Sequence, residues 1–157
     1  MRKLIALAVS AGLVAGAFAL PAGAAAKKKT IKDSFTATAV PFPNLSSHTG
    51  TATPGCTAGQ EGVHKVTTPF ETPGKGRLIV ETKDFTGDWD LYLFDPSGLV
   101  LAKSDSAQVP DGAPPVEKIV VDLKAMKTYD LVTCNWAGAP TTDVTLKYTY
   151  APMKHKH

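Results

Sequence analysis

Residues 88–98 read Asp88-Trp89-Asp90-Leu91-Tyr92-Leu93-Phe94-Asp95-Pro96-Ser97-Gly98. Trp89, Leu91 and Leu93 alternate with Asp88, Asp90 and Tyr92, the period-two pattern that lays one face of a β-strand on a core. Asp95-Pro96-Ser97-Gly98 then closes the strand, because proline presets φ for the second residue of a turn and glycine accepts positive φ. The same unit recurs along the chain. Leu78 and Val80 alternate with Ile79 and Glu81. Ile119, Val121 and Leu123 alternate with Lys118, Val120 and Asp122. Val144, Leu146, Tyr148 and Tyr150 alternate with Thr145, Lys147 and Thr149.

Turn residues at 73–76, 86–87, 95–98 and 110–115 divide these segments. They predict strands near 34–40, 63–70, 77–84, 89–94, 99–104, 117–123, 128–135 and 143–150. Beyond residue 26 no stretch keeps an i, i+3, i+4, i+7 pattern long enough for a helix. Eight short strands without a helix predict an all-β, two-sheet β-sandwich of jelly-roll type, with an immunoglobulin-like arrangement as the alternative. A chain of 157 residues has room for one such domain. Pro41 to Gly59 is the one long irregular loop.

Residues 1–26 read as a signal peptide. Arg2 and Lys3 start it, an apolar run from Leu4 to Leu20 follows, and small residues after Pro21 offer two A-x-A-like cleavage sites at 22–24 and 24–26. An N-terminal membrane anchor is the alternative. Cleavage predicts an exported, extracellular protein with no stable membrane insertion. It leaves a basic tail at 27–32, a sandwich domain at 33–150 and a basic tail at 151–157. The body at 33–150 carries nine basic and fourteen acidic residues. Phosphate recognition needs a basic folded surface, so nucleic acid is not an expected partner. The two lysine-bearing tails could touch an anionic cell envelope.

Cys56 and Cys134 are the only cysteines. In an exported chain an even count implies a disulfide, and here one pairing exists. Closing so long a loop would contribute about 4–5 kcal/mol on a chain-entropy account.

The acidic residues around the opening strand form the first candidate site. Asp88 and Asp90 share a face, and Asp84 lies just across the Thr86-Gly87 turn. Such an oxygen-rich, thiol-free set suits Ca²⁺ better than Zn²⁺ or Mg²⁺, and Ca²⁺ is the only cofactor expected. The competing reading is a solvated strand face that happens to carry aspartate. Tyr92, Phe94 and Trp136 form the second candidate, as rings on an outer face able to bind a sugar or an extended peptide. The competing reading has Trp136 covering the disulfide and Tyr92 covering a neighbouring strand. Catalytic patterns are scarce: no nucleophile elbow, metalloprotease helix or phosphate loop is present. The chain is therefore read as not an enzyme.

Gly76-Arg77-Leu78-Ile79-Val80-Glu81, the 88–98 stretch, Leu101-Ala102-Lys103-Ser104, Glu117 to Val121, Tyr129-Asp130-Leu131-Val132 and the closing strand ending at Tyr150 together resemble the bacterial pre-peptidase C-terminal domain. The resemblance covers about residues 62–150. It implies a non-catalytic β-sandwich appended to secreted proteases, in related collagenase modules used for calcium and matrix binding, with Asp88 and Asp90 at the acidic strand positions. This chain departs from that pattern in carrying no protease domain and in its cysteine pair. The expected function is a secreted binding or accessory module for an extracellular protein or polysaccharide. A stabiliser or inhibitor of an exported protease is the alternative, and a small hydrolase built around His64 is a third.

Overall fold

The computed structural model describes residues 27–42, 59–83, 85–105 and 116–153. Eight strands run in order: β1 (Lys29–Thr38), β2 (Lys65–Glu71), β3 (Gly76–Lys83), β4 (Gly87–Phe94), β5 (Val100–Ser104), β6 (Glu117–Leu123), β7 (Thr128–Gly138) and β8 (Thr141–Tyr150). No helix occurs among the described residues, so none there is long and apolar enough to cross a membrane. Residues 1–26, which carry the signal-peptide reading, lie outside the described residues.

Two antiparallel four-stranded sheets form, with orders β1-β8-β3-β6 and β2-β7-β4-β5. β1 pairs with β8, β2 with β7, β3 with β6 and β4 with β5, so each strand bonds to its counterpart counted from the other chain end. The chain is thus one long hairpin folded so that successive pairs fall in alternate sheets, the winding of a jelly roll. An immunoglobulin-like sandwich would keep the first two strands in one sheet, whereas β1 and β2 lie in opposite sheets here.

The alternating apolar residues meet between the sheets. Leu78 and Val80 of β3, Ile119 and Leu123 of β6, and Val144, Leu146 and Tyr148 of β8 face Trp89, Leu91 and Leu93 of β4 and Leu131 of β7. Trp89 is wholly buried, and its indole N–H donates to the Ala139 carbonyl at 3.2 Å. Tyr148 donates its hydroxyl to the Gly74 carbonyl at 2.5 Å, and burial raises its pKa to about 12. Each buried polar tip therefore keeps the partner it would otherwise have found in water.

One boundary moves. Residues 27–32, read from sequence as a basic tail, enter the sheet at Lys29: Lys29 stands opposite Tyr150, Ile31 opposite Tyr148 and Lys32 opposite Lys147. Ile31 packs against the core cluster, which anchors a segment whose lysines had suggested a solvated end. At the other end Ala151 is still held, its N–H donating to the Lys75 carbonyl at 3.1 Å.

Candidate functional site

Alternation on β4 sends Trp89, Leu91 and Leu93 inward and Asp90, Tyr92 and Phe94 to the outer face of the second sheet. There they meet Val132, Cys134 and Trp136 of β7. Asp90 stands opposite Cys134, Tyr92 opposite Val132 and Phe94 opposite Asp130. At the start of β4 the register slips between Asp88 and Trp89: Asp88 pairs with Ala137 and Trp89 with Asn135, so Trp136 is the extra residue of a bulge. Gly87 and Gly138 make the slip feasible. They face each other with φ of 96° and 105°, and a Cβ on either would lie 2.0 Å from a carbonyl oxygen of the opposite strand.

The bulge aims the Trp136 indole at Asp90, and its N–H donates to Asp90 Oδ2. Asp90 is 1% exposed, and its second oxygen, Oδ1, has no hydrogen-bond partner among the described residues. Burial of the carboxylate, reinforced by the charge of Asp88, pushes its pKa up to about 8; the Trp136 N–H works against the rise. Glu117 and Asp105 add further negative potential. A buried carboxylate with one oxygen unsatisfied is costly, and a proton or a cation would relieve it.

Tyr92 is also buried, 7% exposed, and donates its hydroxyl to Asp105 Oδ2 at 3.0 Å. Burial, and then the Asp105 carboxylate that accepts this bond, hold the phenol well above its ordinary pKa. Lys103 bonds the same Asp105 oxygen and lies 6.0 Å from the Tyr92 ring centre. Phe94 is half-buried and stacks on Tyr92 with centroids 6.2 Å apart.

These contacts correct the expectation of an open aromatic platform at Tyr92, Phe94 and Trp136. Trp136 is 4% exposed because Phe42 lies flat on it, with centroids 4.5 Å apart. His64 stacks on Phe42 at 4.6 Å. Phe42 is held in turn by its N–H to the Asn135 carbonyl, 3.3 Å away, and His64 by its carbonyl accepting from Asn135 N–H at 3.1 Å. The His64 ring, around which the third reading would build a hydrolase, is thereby one layer of a three-ring stack. Sequence reasoning missed Phe42 because it falls in an irregular loop without periodicity. It missed Asp105 because the residue lies just past a strand end.

The acidic set is joined in part. Asp88 and Asp90 are close enough for the charge of one to shift the other. The solvated-face alternative fails for Asp90, whose carboxylate is buried. Asp84, the third member, lies outside the described residues, and among those residues no group of three or more His, Cys, Asp or Glu side chains is disposed to hold a metal. Cys134 is fully buried in the Tyr92–Val132 cluster; Cys56 also lies outside the described residues.

The chain matches no protein-family model and no curated protein sequence. The likeness to the pre-peptidase C-terminal domain therefore stands on the quoted residues alone.

Proposed function

We propose that the protein is an exported, non-catalytic recognition module of pre-peptidase C-terminal type, braced by Ca²⁺ and by a Cys56–Cys134 disulfide, that binds an extracellular polymer. The observation that carries this reading is the Asp90 carboxylate, buried beside Asp88 with Oδ1 unpartnered. A divalent cation would give that oxygen its partner and offset the repulsion of Asp88. The ligands from this chain would be Asp88 and Asp90, with Asp84 a few residues before them in sequence, an all-oxygen set of the kind calcium takes. The ion would supply positive charge and cross-link the 84–90 segment, with no role in bond chemistry.

The disulfide reading is supported by Cys134 not being free. Its position opposite Asp90 would tie the long loop to the same outer face. Export rests on the Arg2–Ala26 pattern and agrees with an oxidised cysteine pair.

The test is thermal melting of the oxidised protein in EDTA and in millimolar Ca²⁺, beside an Asp88→Asn, Asp90→Asn double variant. A ligand that binds only the folded state stabilises it by about 2.7 kcal/mol at a hundredfold excess over Kd. The expected result is a rise of several degrees with Ca²⁺ that the double variant lacks. An equal melting temperature in EDTA and Ca²⁺ would refute calcium support.

A further inference from the structure

The outer face of the β1-β8-β3-β6 sheet carries a different chemistry from the acidic outer face of the second sheet. Lys32 of β1 and Lys147 of β8 stand directly opposite each other, and Ile79 of β3 lies opposite Lys147 on its other side, followed by Val120 of β6. Like charges directly opposite on a sheet face destabilise it, so this row costs the fold something.

The carboxylates on this face are each engaged by another group. Glu81 pairs with Lys118 at 2.5 Å, Asp122 accepts both arms of Arg77 at 2.9 and 3.0 Å, and Asp143 takes the Thr36 hydroxyl while standing opposite Lys83. Asp33, on the rim, accepts from the Ser34 N–H. Lys28, Lys32, Lys75 and Lys147 remain exposed, with no ion-pair partner among the described residues. The hydrogen bond from Arg77 holds the Asp122 carboxyl below its ordinary pKa, and the charge of Lys75 adds to this.

Two grooves flank the row. One of about 530 Å³ contains Lys32 and Lys147, and one of about 460 Å³ contains Lys28, Lys75 and Lys147; Ile79 and Lys147 line both. Sharing Ile79 and Lys147, the two grooves adjoin, and their basic residues outnumber the carboxylates Asp33, Glu81 and Asp122 that also line them, with Ile79 as an apolar strip between. Hydroxyls are interleaved with the charges: Ser34 and Thr145 in the first groove, Thr149 in the second. Among the described residues no aromatic ring lines either groove, so none of them would stack a base.

We propose that this face binds an extended anionic polysaccharide, its carboxylates on the unpaired lysines, its hydroxyls on the Ser and Thr side chains, and a sugar ring over Ile79. The proposal rests on the reading of the protein as an exported recognition module and names the polymer class and the face that module would use. Charge complementarity selects the occupant. The acidic composition of the body as a whole hides the site, because the lysines gathered here outnumber the carboxylates lining the same grooves.

The test is titration calorimetry of the purified protein with polygalacturonate at low salt and pH 7, with dextran as the neutral polymer and oligo(dT) as a nucleic-acid polyanion. A Lys32→Gln, Lys147→Gln variant is compared with Lys103→Gln on the opposite sheet. Removing Lys32 and Lys147 relieves repulsion, so the double variant is expected to melt no lower than the parent. The expected result is binding to polygalacturonate but not dextran, weakened about tenfold by the double change, weakened by salt, and unaltered in Lys103→Gln. Absence of binding, or equal binding by the double variant, overturns the inference, and tighter binding of oligo(dT) overturns the polysaccharide assignment. Cell fractionation of the full chain separates the two readings: retention in the cytoplasm would sink export while leaving a lysine-dependent binding result standing.

Discussion

Replacing Asp90 by asparagine should change the stability of the metal-free protein in a way that depends on pH. In the folded chain burial and Asp88 raise the Asp90 pKa to about 8, whereas in the unfolded chain it returns to near 3.8. The folded state therefore holds a proton that the unfolded state releases, so stability from this residue is complete below the unfolded pKa and drains away as pH rises towards about 8. Each pH unit across that window is worth about 1.4 kcal/mol, giving a loss on the order of 5 kcal/mol between pH 4 and pH 8. Asparagine resembles the neutral acid in shape, carries no charge to bury, and can still accept the Trp136 N–H. The assay is urea unfolding of parent and Asp90→Asn in EDTA at pH 4, 6 and 8, taking the difference between the two proteins so that other carboxylates cancel. Near-equal stability is expected at pH 4, with the variant ahead by a few kcal/mol at pH 8. A difference that stays constant with pH would refute the assignment of a buried, proton-holding carboxylate.

Three further changes probe the frame around that group. Trp136→Phe keeps the ring stacked on Phe42 but removes the one donor to Asp90 among the described residues, so it should cost about 1–3 kcal/mol and cost more at pH 8 than at pH 4 in denaturant titrations. Gly138→Ala places a Cβ 2.0 Å from the Thr86 carbonyl oxygen at φ 105°; a loss of more than about 2 kcal/mol is expected by calorimetry, and a neutral result would contradict the bulge geometry. Tyr148→Phe deletes one buried hydroxyl and leaves the Gly74 carbonyl without it, which should lower stability by about 1 kcal/mol in the same titrations.

Much of the fold was legible because strand periodicity is a local property. Leu78 and Val80, Trp89, Leu91 and Leu93, Ile119 and Leu123, and Val144, Leu146 and Tyr148 are all buried where alternation placed them. All eight strands lie within a few residues of their expected positions. The turns at 95–98 and 73–76 were equally local, since proline and glycine declare their backbone preferences without reference to the rest of the chain. The largest boundary error was at β1, where three lysines among residues 27–29 outweighed the short Thr30-Ile31 pattern. Its pairing partner, Lys147–Tyr150, is more than a hundred residues away.

The candidate site was legible as a list of residues and not as an environment. Alternation alone put Asp90, Tyr92 and Trp136 on an outward face, and that part holds. Whether outward meant solvent depended on Phe42 arriving from a loop and on Asp105 turning back from beyond β5. Neither leaves a periodic trace. The same holds for Lys32 and Lys147, 115 positions apart in sequence and directly opposite in the sheet.

The sequence by itself thus determined which segments are strands, which of their residues face a core, and that two cysteines accompany them. Those properties follow from side-chain spacing and backbone preference within a few residues. Only the tertiary structure decided the winding of the sheets, the burial and proton affinity of Asp90, and the gathering of Lys32 and Lys147 side by side on one sheet face. Burial and electrostatic potential are sums over neighbours brought from distant parts of the chain, and no local pattern records them.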